Sequence, residues 1–104
     1  MKNKQIVEIF NRMGALLEMK DENVFRVRSY YKAAENIANL AEDIATLREE
    51  GRLGEIAGIG KTLEEKIIEY LDTGRMTAYE TLTAEIPESL LELMGKFPDN
   101  ESFV

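Results

Sequence analysis

Apolar residues recur along this chain at spacings of three and four, and nowhere alternate as a strand requires. Ile6, Ile9, Phe10, Met13, Leu16 and Leu17 form one face of a first helix over roughly 4–19, with Asn3 as its expected N-cap. Gly14 interrupts that helix; it either costs up to about 1 kcal/mol relative to alanine or permits a close helix crossing. After a loop at 20–23, a second helix is predicted over 25–38, with Val27, one of Tyr30 and Tyr31, Ala34, Ile37 and Ala38 buried. Adjacent tyrosines point about 100° apart on a helix. One therefore belongs to the core, and Tyr30 is assigned to the open side.

A third helix near 43–50 buries Ile44 and Leu47, and Gly51 ends it in the left-handed conformation. Residues 52–56 read as a short helix and 61–73 as a longer one, with Leu63, Ile67, Tyr70 and Leu71 inward and Gly74 as the stop. A helix at 77–84 carries Tyr79 and Leu82, and Pro87 opens a last one with Leu90, Leu91, Leu93 and Met94. The expected fold is all-α: one small bundle of five to seven short helices over 1–95, followed by a frayed tail at 96–104.

Composition narrows the chemistry. The 104 residues suit one domain, and 44% are apolar, enough for one small core. The chain has no cysteine and no histidine, which excludes disulfides, thiolate metal sites and the usual general base. No apolar run reaches membrane-spanning length and the start lacks a signal-peptide pattern, so a cytoplasmic protein with no membrane partner is expected. Thirteen basic residues against 20 acidic ones give a net charge of −7, which argues against coating nucleic acid by charge alone. The charge is uneven, however. Residues 23–34 hold Arg26, Arg28 and Lys32 and no acid, whereas 42–55 and 80–92 are strongly acidic. On charge pattern alone, the basic stretch reads as a solvated helix face.

The segment Ile56-Ala57-Gly58-Ile59-Gly60-Lys61 changes that picture. Two glycines flank one apolar residue between two helical arms, so the backbone can turn where a Cβ would obstruct it. Ile59 is expected to tuck inward. The turn opens on a helix N-terminus, where unpaired N–H groups and the positive dipole end suit a phosphate oxygen. Lys66 flanks the apolar stripe of that helix. By itself it reads as an ordinary lysine whose stem covers the core edge.

Three separated segments carry a resemblance. They are Phe25-Arg26-Val27-Arg28-Ser29-Tyr30-Tyr31-Lys32-Ala33-Ala34, then Glu55-Ile56-Ala57-Gly58-Ile59-Gly60-Lys61, and Glu65-Lys66-Ile67 followed by Thr73-Gly74-Arg75. In their order and spacing the chain resembles, over about 1–95, the amino-terminal helix-hairpin-helix domain of X-family DNA polymerases. It is most similar to bacterial and archaeal members, which share the start Met1-Lys2-Asn3-Lys4.

The resemblance implies a monomeric module that grips gapped or nicked DNA near a 5′-phosphate end, in repair or replication. DNA contacts would fall on Phe25, Arg26, Arg28, Tyr30, Lys32, Gly58, Ile59, Gly60, Lys61, Thr62, Glu65 and Lys66. It also implies a bound Na⁺ or K⁺ on the backbone carbonyls of Gly54, Ile56 and Ile59, with no other cofactor required. In the repair polymerase the domain is also a 5′-deoxyribose phosphate lyase, whose Schiff-base lysine falls on Lys66 and whose phosphate pocket falls on Arg26 and Tyr30. Thr62 stands where that pocket has a lysine, Ala78 where it has another basic residue, and Phe25 where a histidine stacks on a base. These departures favour DNA binding with weak or absent lyase activity. The metal-binding aspartates of a polymerase palm are not in this sequence, so polymerase chemistry is not expected of it. The third reading, an acidic helical domain that binds a protein partner, is opposed by the hairpin glycines and by the acid-free stretch 23–34.

Overall fold

A computed structural model describes residues 1–93, which are all-helical. Six α-helices run in order: α1 (Asn3–Met19), α2 (Val24–Ala38), α3 (Ile44–Glu49), α4 (Lys61–Thr73), α5 (Thr77–Ala84) and α6 (Glu88–Leu93). One 3₁₀ turn (Leu53–Glu55) precedes α4 where a short helix is expected over 52–56. Met94 and the tail at 96–104 lie outside the described residues.

The apolar spacing of α1 gives the core its spine. Ile6, Phe10, Met13, Leu16 and Leu17 are all buried, while Ile9 lies at the edge and only packs against that cluster. The chain reverses after α1 without a glycine. Asp21 takes the left-handed conformation (φ 58°), Glu22 N–H donates to the Leu17 carbonyl (3.0 Å) and Asp21 N–H to that of Glu18 (3.0 Å). This double bond satisfies carbonyls that a helix end leaves open. Asn23 then caps α2 by accepting from Phe25 N–H at 2.7 Å.

α2 lies back along α1 and buries Val27, Tyr30, Ala33, Ala34 and Ile37. Ala38, expected inside, is exposed. Tyr30 is the core tyrosine, 3% exposed, with its ring in a T-shaped pair with Phe10 (centroids 5.5 Å apart, planes at 84°). Tyr31 is the half-buried one, and its ring lies over Gly14. A Cβ on Gly14 would stand 2.8 Å from that ring, so this glycine serves the close crossing of α1 and α2.

Asn3 is not the cap of its own helix. Lys2 occupies that place without a side-chain bond. The Asn3 amide is buried instead and ties α1 to the start of α3, donating to the Glu42 carbonyl (2.8 Å) and accepting from Ile44 N–H (2.9 Å). A buried amide with both ends paired is worth more than an exposed cap, because leaving it unpaired costs about 1–3 kcal/mol. Beyond α3, Gly51 (φ 68°) turns the chain, and Leu53, Ile56, Ile59, Leu63 and Ile67 pin the 3₁₀ turn, the hairpin and α4 to the core. Gly74 ends α4 in the left-handed conformation, its N–H donating to the Tyr70 carbonyl at 2.8 Å.

Candidate nucleic-acid interface

The hairpin at 56–60 is held from inside by its apolar residues. Ile56 and Ile59 are buried at 5% and 8% exposure, and Ile59 N–H donates to the Ile56 carbonyl (3.1 Å), closing the turn. Ala57, Gly58 and Gly60 face outward. The two glycines are not equivalent. Gly58 has φ +82°, the left-handed region where a Cβ is strained. Gly60 is extended (φ −86°, ψ −179°) and a Cβ on it would meet nothing within 4 Å. The expectation that both corners need glycine for the turn therefore holds at Gly58 only.

Gly60 is the N-cap of α4 and brings no capping side chain. The first bond back from the helix is Glu64 N–H to the Gly60 carbonyl (2.9 Å). The N–H groups of Gly58, Gly60, Lys61, Thr62 and Leu63 have no partner among the described residues. Donors of this kind at the positive end of a helix dipole suit an anion.

Around these donors the fold builds a concavity of about 320 Å³. α2 supplies Arg26, Ser29 and Tyr30, the hairpin supplies Gly58 and Gly60, and α4 supplies Lys61, Thr62, Leu63 and Lys66. Three cations line it and no carboxylate does. Arg26 also has Glu22 at 3.4 Å, an exposed contact that adds little and leaves the guanidinium available. The Lys66 ammonium is held below the usual lysine range, first by burial and then by the Arg26 charge, against Glu65 and Glu69. The Tyr30 hydroxyl is pushed up by burial, with Arg26 acting in the opposite direction.

The other candidate residues lie around this centre. Lys32 is exposed beside the hairpin, its Cγ 3.7 Å from where a Cβ on Gly58 would sit, and it pairs with Glu35 at 3.1 Å. Arg28 belongs to a neighbouring shallow hollow of α2 with Tyr31, Lys32 and Glu35. Phe25 projects from the first turn of α2 at 72% exposure. Glu65 is exposed and outside the concavity, and Ile59 offers only its backbone. Ala78 lines an adjoining concavity that shares Arg26 and contains Lys20, which is ion-paired with Glu85.

Sequence reasoning passed over Ser29, Leu63 and Asn36. Asn36 donates from Nδ2 to the Ala57 carbonyl (2.6 Å), and its spacing of four from Lys32 is the signal that puts it beside the hairpin. Another hollow, about 560 Å³ between α1, α4 and α5, has a different character. Glu8 and Glu80 are in its wall, and Glu80 is engaged by Arg75 through two bonds of 2.9 and 2.7 Å. Among the described residues no helix is long and apolar enough to cross a membrane, and no group of three or more carboxylates could hold a metal.

The hairpin joins two helical segments inside an all-helical core, and the family model "Helix-hairpin-helix domain" matches residues 1–76. The chain belongs to the helix-hairpin-helix family. It is 34% identical over 94 residues to the DNA polymerase/3′-5′ exonuclease PolX of Bacillus subtilis (strain 168), an alignment covering 90% of this chain and 16% of that relative. It is thus a helix-hairpin-helix module of the kind that X-family polymerases carry at their amino-terminal end. The fold and the hairpin agree with the expectation from sequence. The chain spans less than a fifth of PolX, so the activities in that name belong to the relative.

Proposed function

We propose that this module holds DNA by its sugar–phosphate backbone without reading sequence, and favours gapped or nicked DNA with a 5′-phosphate end, in repair or replication. The observation that carries this reading is the concavity with three cations and no carboxylate, opening on hairpin and α4 N–H groups that lack a partner among the described residues. A phosphate oxygen there accepts from the hairpin backbone and is neutralised by Arg26, Lys61 and Lys66. Lys32 and Arg28 extend the positive charge along α2, and exposed Phe25 offers a face on which an unpaired base stacks. The acidic remainder of the surface keeps DNA to this face. A monovalent cation on the carbonyls of Gly54, Ile56 and Ile59 would bridge them to a phosphate oxygen. The Ile56 carbonyl fits this role, since it accepts one bond, from Ile59, and has a second lone pair.

Titration of fluorescent gapped DNA bearing a 5′-phosphate, against intact duplex, tests the proposal. Engagement of about three phosphates predicts a slope of log K on log salt near −3, with tighter binding to the gapped form. Equal affinity for both forms overturns the gap preference; no binding at low salt overturns the DNA reading.

A second reading rests on Lys66. Its depressed pKa leaves more neutral amine near pH 8 than an ordinary lysine has, and a neutral amine can condense with the C1′ aldehyde of an opened deoxyribose, releasing water and forming an imine. Thr62 supplies a hydroxyl instead of a charge inside the concavity, and Ala78 adds none next to it. Borohydride trapping on preincised abasic DNA is therefore expected to give a faint adduct, little changed by Lys66→Ala. Efficient trapping that vanishes in Lys66→Ala would establish a lyase.

A further inference from the structure

We propose that Asn36 is a positioning residue that sets the hairpin for DNA before any DNA arrives. The proposal rests on the reading of the hairpin as the DNA contact. Asn36 is half-buried on α2 and does not line the cationic concavity, so it does not itself reach a phosphate there. Its Nδ2 donates to the Ala57 carbonyl at 2.6 Å, across 21 positions of sequence. The same nitrogen stands 3.0 Å from where a Cβ on Gly58 would be. One amide therefore touches the hairpin at the residue that turns it and at the carbonyl just before.

That carbonyl shares a peptide plane with the Gly58 N–H. No peptide bond among the described residues is cis, so the carbonyl and the N–H point in opposite directions. Tying the Ala57 oxygen to Asn36 turns the Gly58 N–H away from Asn36. Gly58, with φ +82° and no side chain, sits on a backbone that otherwise rotates with little resistance. The amide removes that freedom in advance, and binding is tighter when less order has to be created at the moment of contact. Asn36 is uncharged, which separates its effect from that of its neighbour Lys32. Lys32 also lies beside Gly58, and it acts on phosphate through charge.

The test uses Asn36→Ala, with Lys32→Ala as the comparison; alanine is the better helix former, so α2 is not weakened by the change. In the free protein, exchange of the Ile59 N–H, which closes the turn on the Ile56 carbonyl, is expected to quicken about fivefold, the worth of one ordinary hydrogen bond. Interior amides of α1 should exchange as in the parent. Affinity for gapped DNA should fall about fivefold with an unchanged slope of log K on log salt, whereas Lys32→Ala should flatten that slope by about 1. Unchanged Ile59 exchange overturns the clamp. Quicker exchange with parental DNA affinity overturns the positioning role, as does a flattened slope, which would make Asn36 a phosphate contact. Failure of the parent itself to bind DNA is read in its own titration and removes the function, while the exchange result still reports on the clamp.

Discussion

Gly60→Ala is expected to keep parental helicity and melting behaviour while lowering DNA affinity about tenfold or more. The backbone at Gly60 is extended, with φ −86° and ψ −179°, and a Cβ there meets nothing within 4 Å, so the fold has no objection to it. The methyl group instead stands on the face from which a phosphate must approach the N–H groups at the head of α4. A lost hydrogen bond to a charged group is worth about 1.5–3 kcal/mol, which sets the expected fold-change. Gly58→Val differs in kind. At φ +82° a branched side chain is strained by about 1–3 kcal/mol, and its Cβ would meet Asn36 Nδ2 at 3.0 Å. That variant should lose thermal stability and DNA binding together. Circular-dichroism melts and anisotropy titrations on the pair separate the two effects. Parental binding by Gly60→Ala would show that phosphate does not approach here.

The second large effect lies on the other side of α2. Gly14→Val is expected to destabilise the domain by about 3 kcal/mol, within the range for overpacked helix contacts. A Cβ on Gly14 would be 2.8, 2.9 and 3.1 Å from three atoms of the Tyr31 ring. For that ring to swing aside, the bond that its hydroxyl donates to Glu18 (2.5 Å) must break. Gly14→Ala gains up to about 1 kcal/mol of helix propensity, which partly offsets the crowding, and should be milder. Denaturant unfolding of Gly14→Ala in the parent and in Tyr31→Ala checks the mechanism. If the ring is the obstacle, the alanine that destabilises the first background should stabilise the second. Equal effects in both would place the strain elsewhere.

The helices were legible because burial in this fold follows the three- and four-residue spacing, and Gly51 and Gly74 mark their ends in the left-handed conformation. What the sequence hid was set by tertiary contact. Asn3 has the composition of a helix cap, but its partners lie 39 and 41 positions away. Tyr30 and Tyr31 have equal claims on the core until one ring packs in a T-shape with Phe10. Asp21 turns the chain without the glycine that signals such a turn. At the site, the glycines advertise a hairpin, yet φ separates Gly58 from Gly60 and letters do not. Arg26 and Lys66 are forty positions apart, and only the resemblance to a known domain joined them before the structure did. Asn36 shares a helix face with Lys32, but its bond to a backbone oxygen 21 positions away is set by tertiary contact.

The paired amide of Asn3 also constrains the order in which the molecule assembles. α1 can coil by itself as soon as its residues exist, since its own bonds are local. Its first turn cannot be sealed until the chain has been made as far as Ile44, because both partners of the amide lie at 42–44. Until then, docking that turn would bury an unpaired polar group, at a cost of about 1–3 kcal/mol that offsets much of the apolar burial gained there. The beginning of the chain is thus a latch, ready early but closed only after α2 has returned along α1 and delivered the start of α3. Since the hairpin follows α3 in the chain, the hairpin and α4 share of the surface proposed to meet DNA comes after the latch, while Arg26 and its neighbours on α2 come before it.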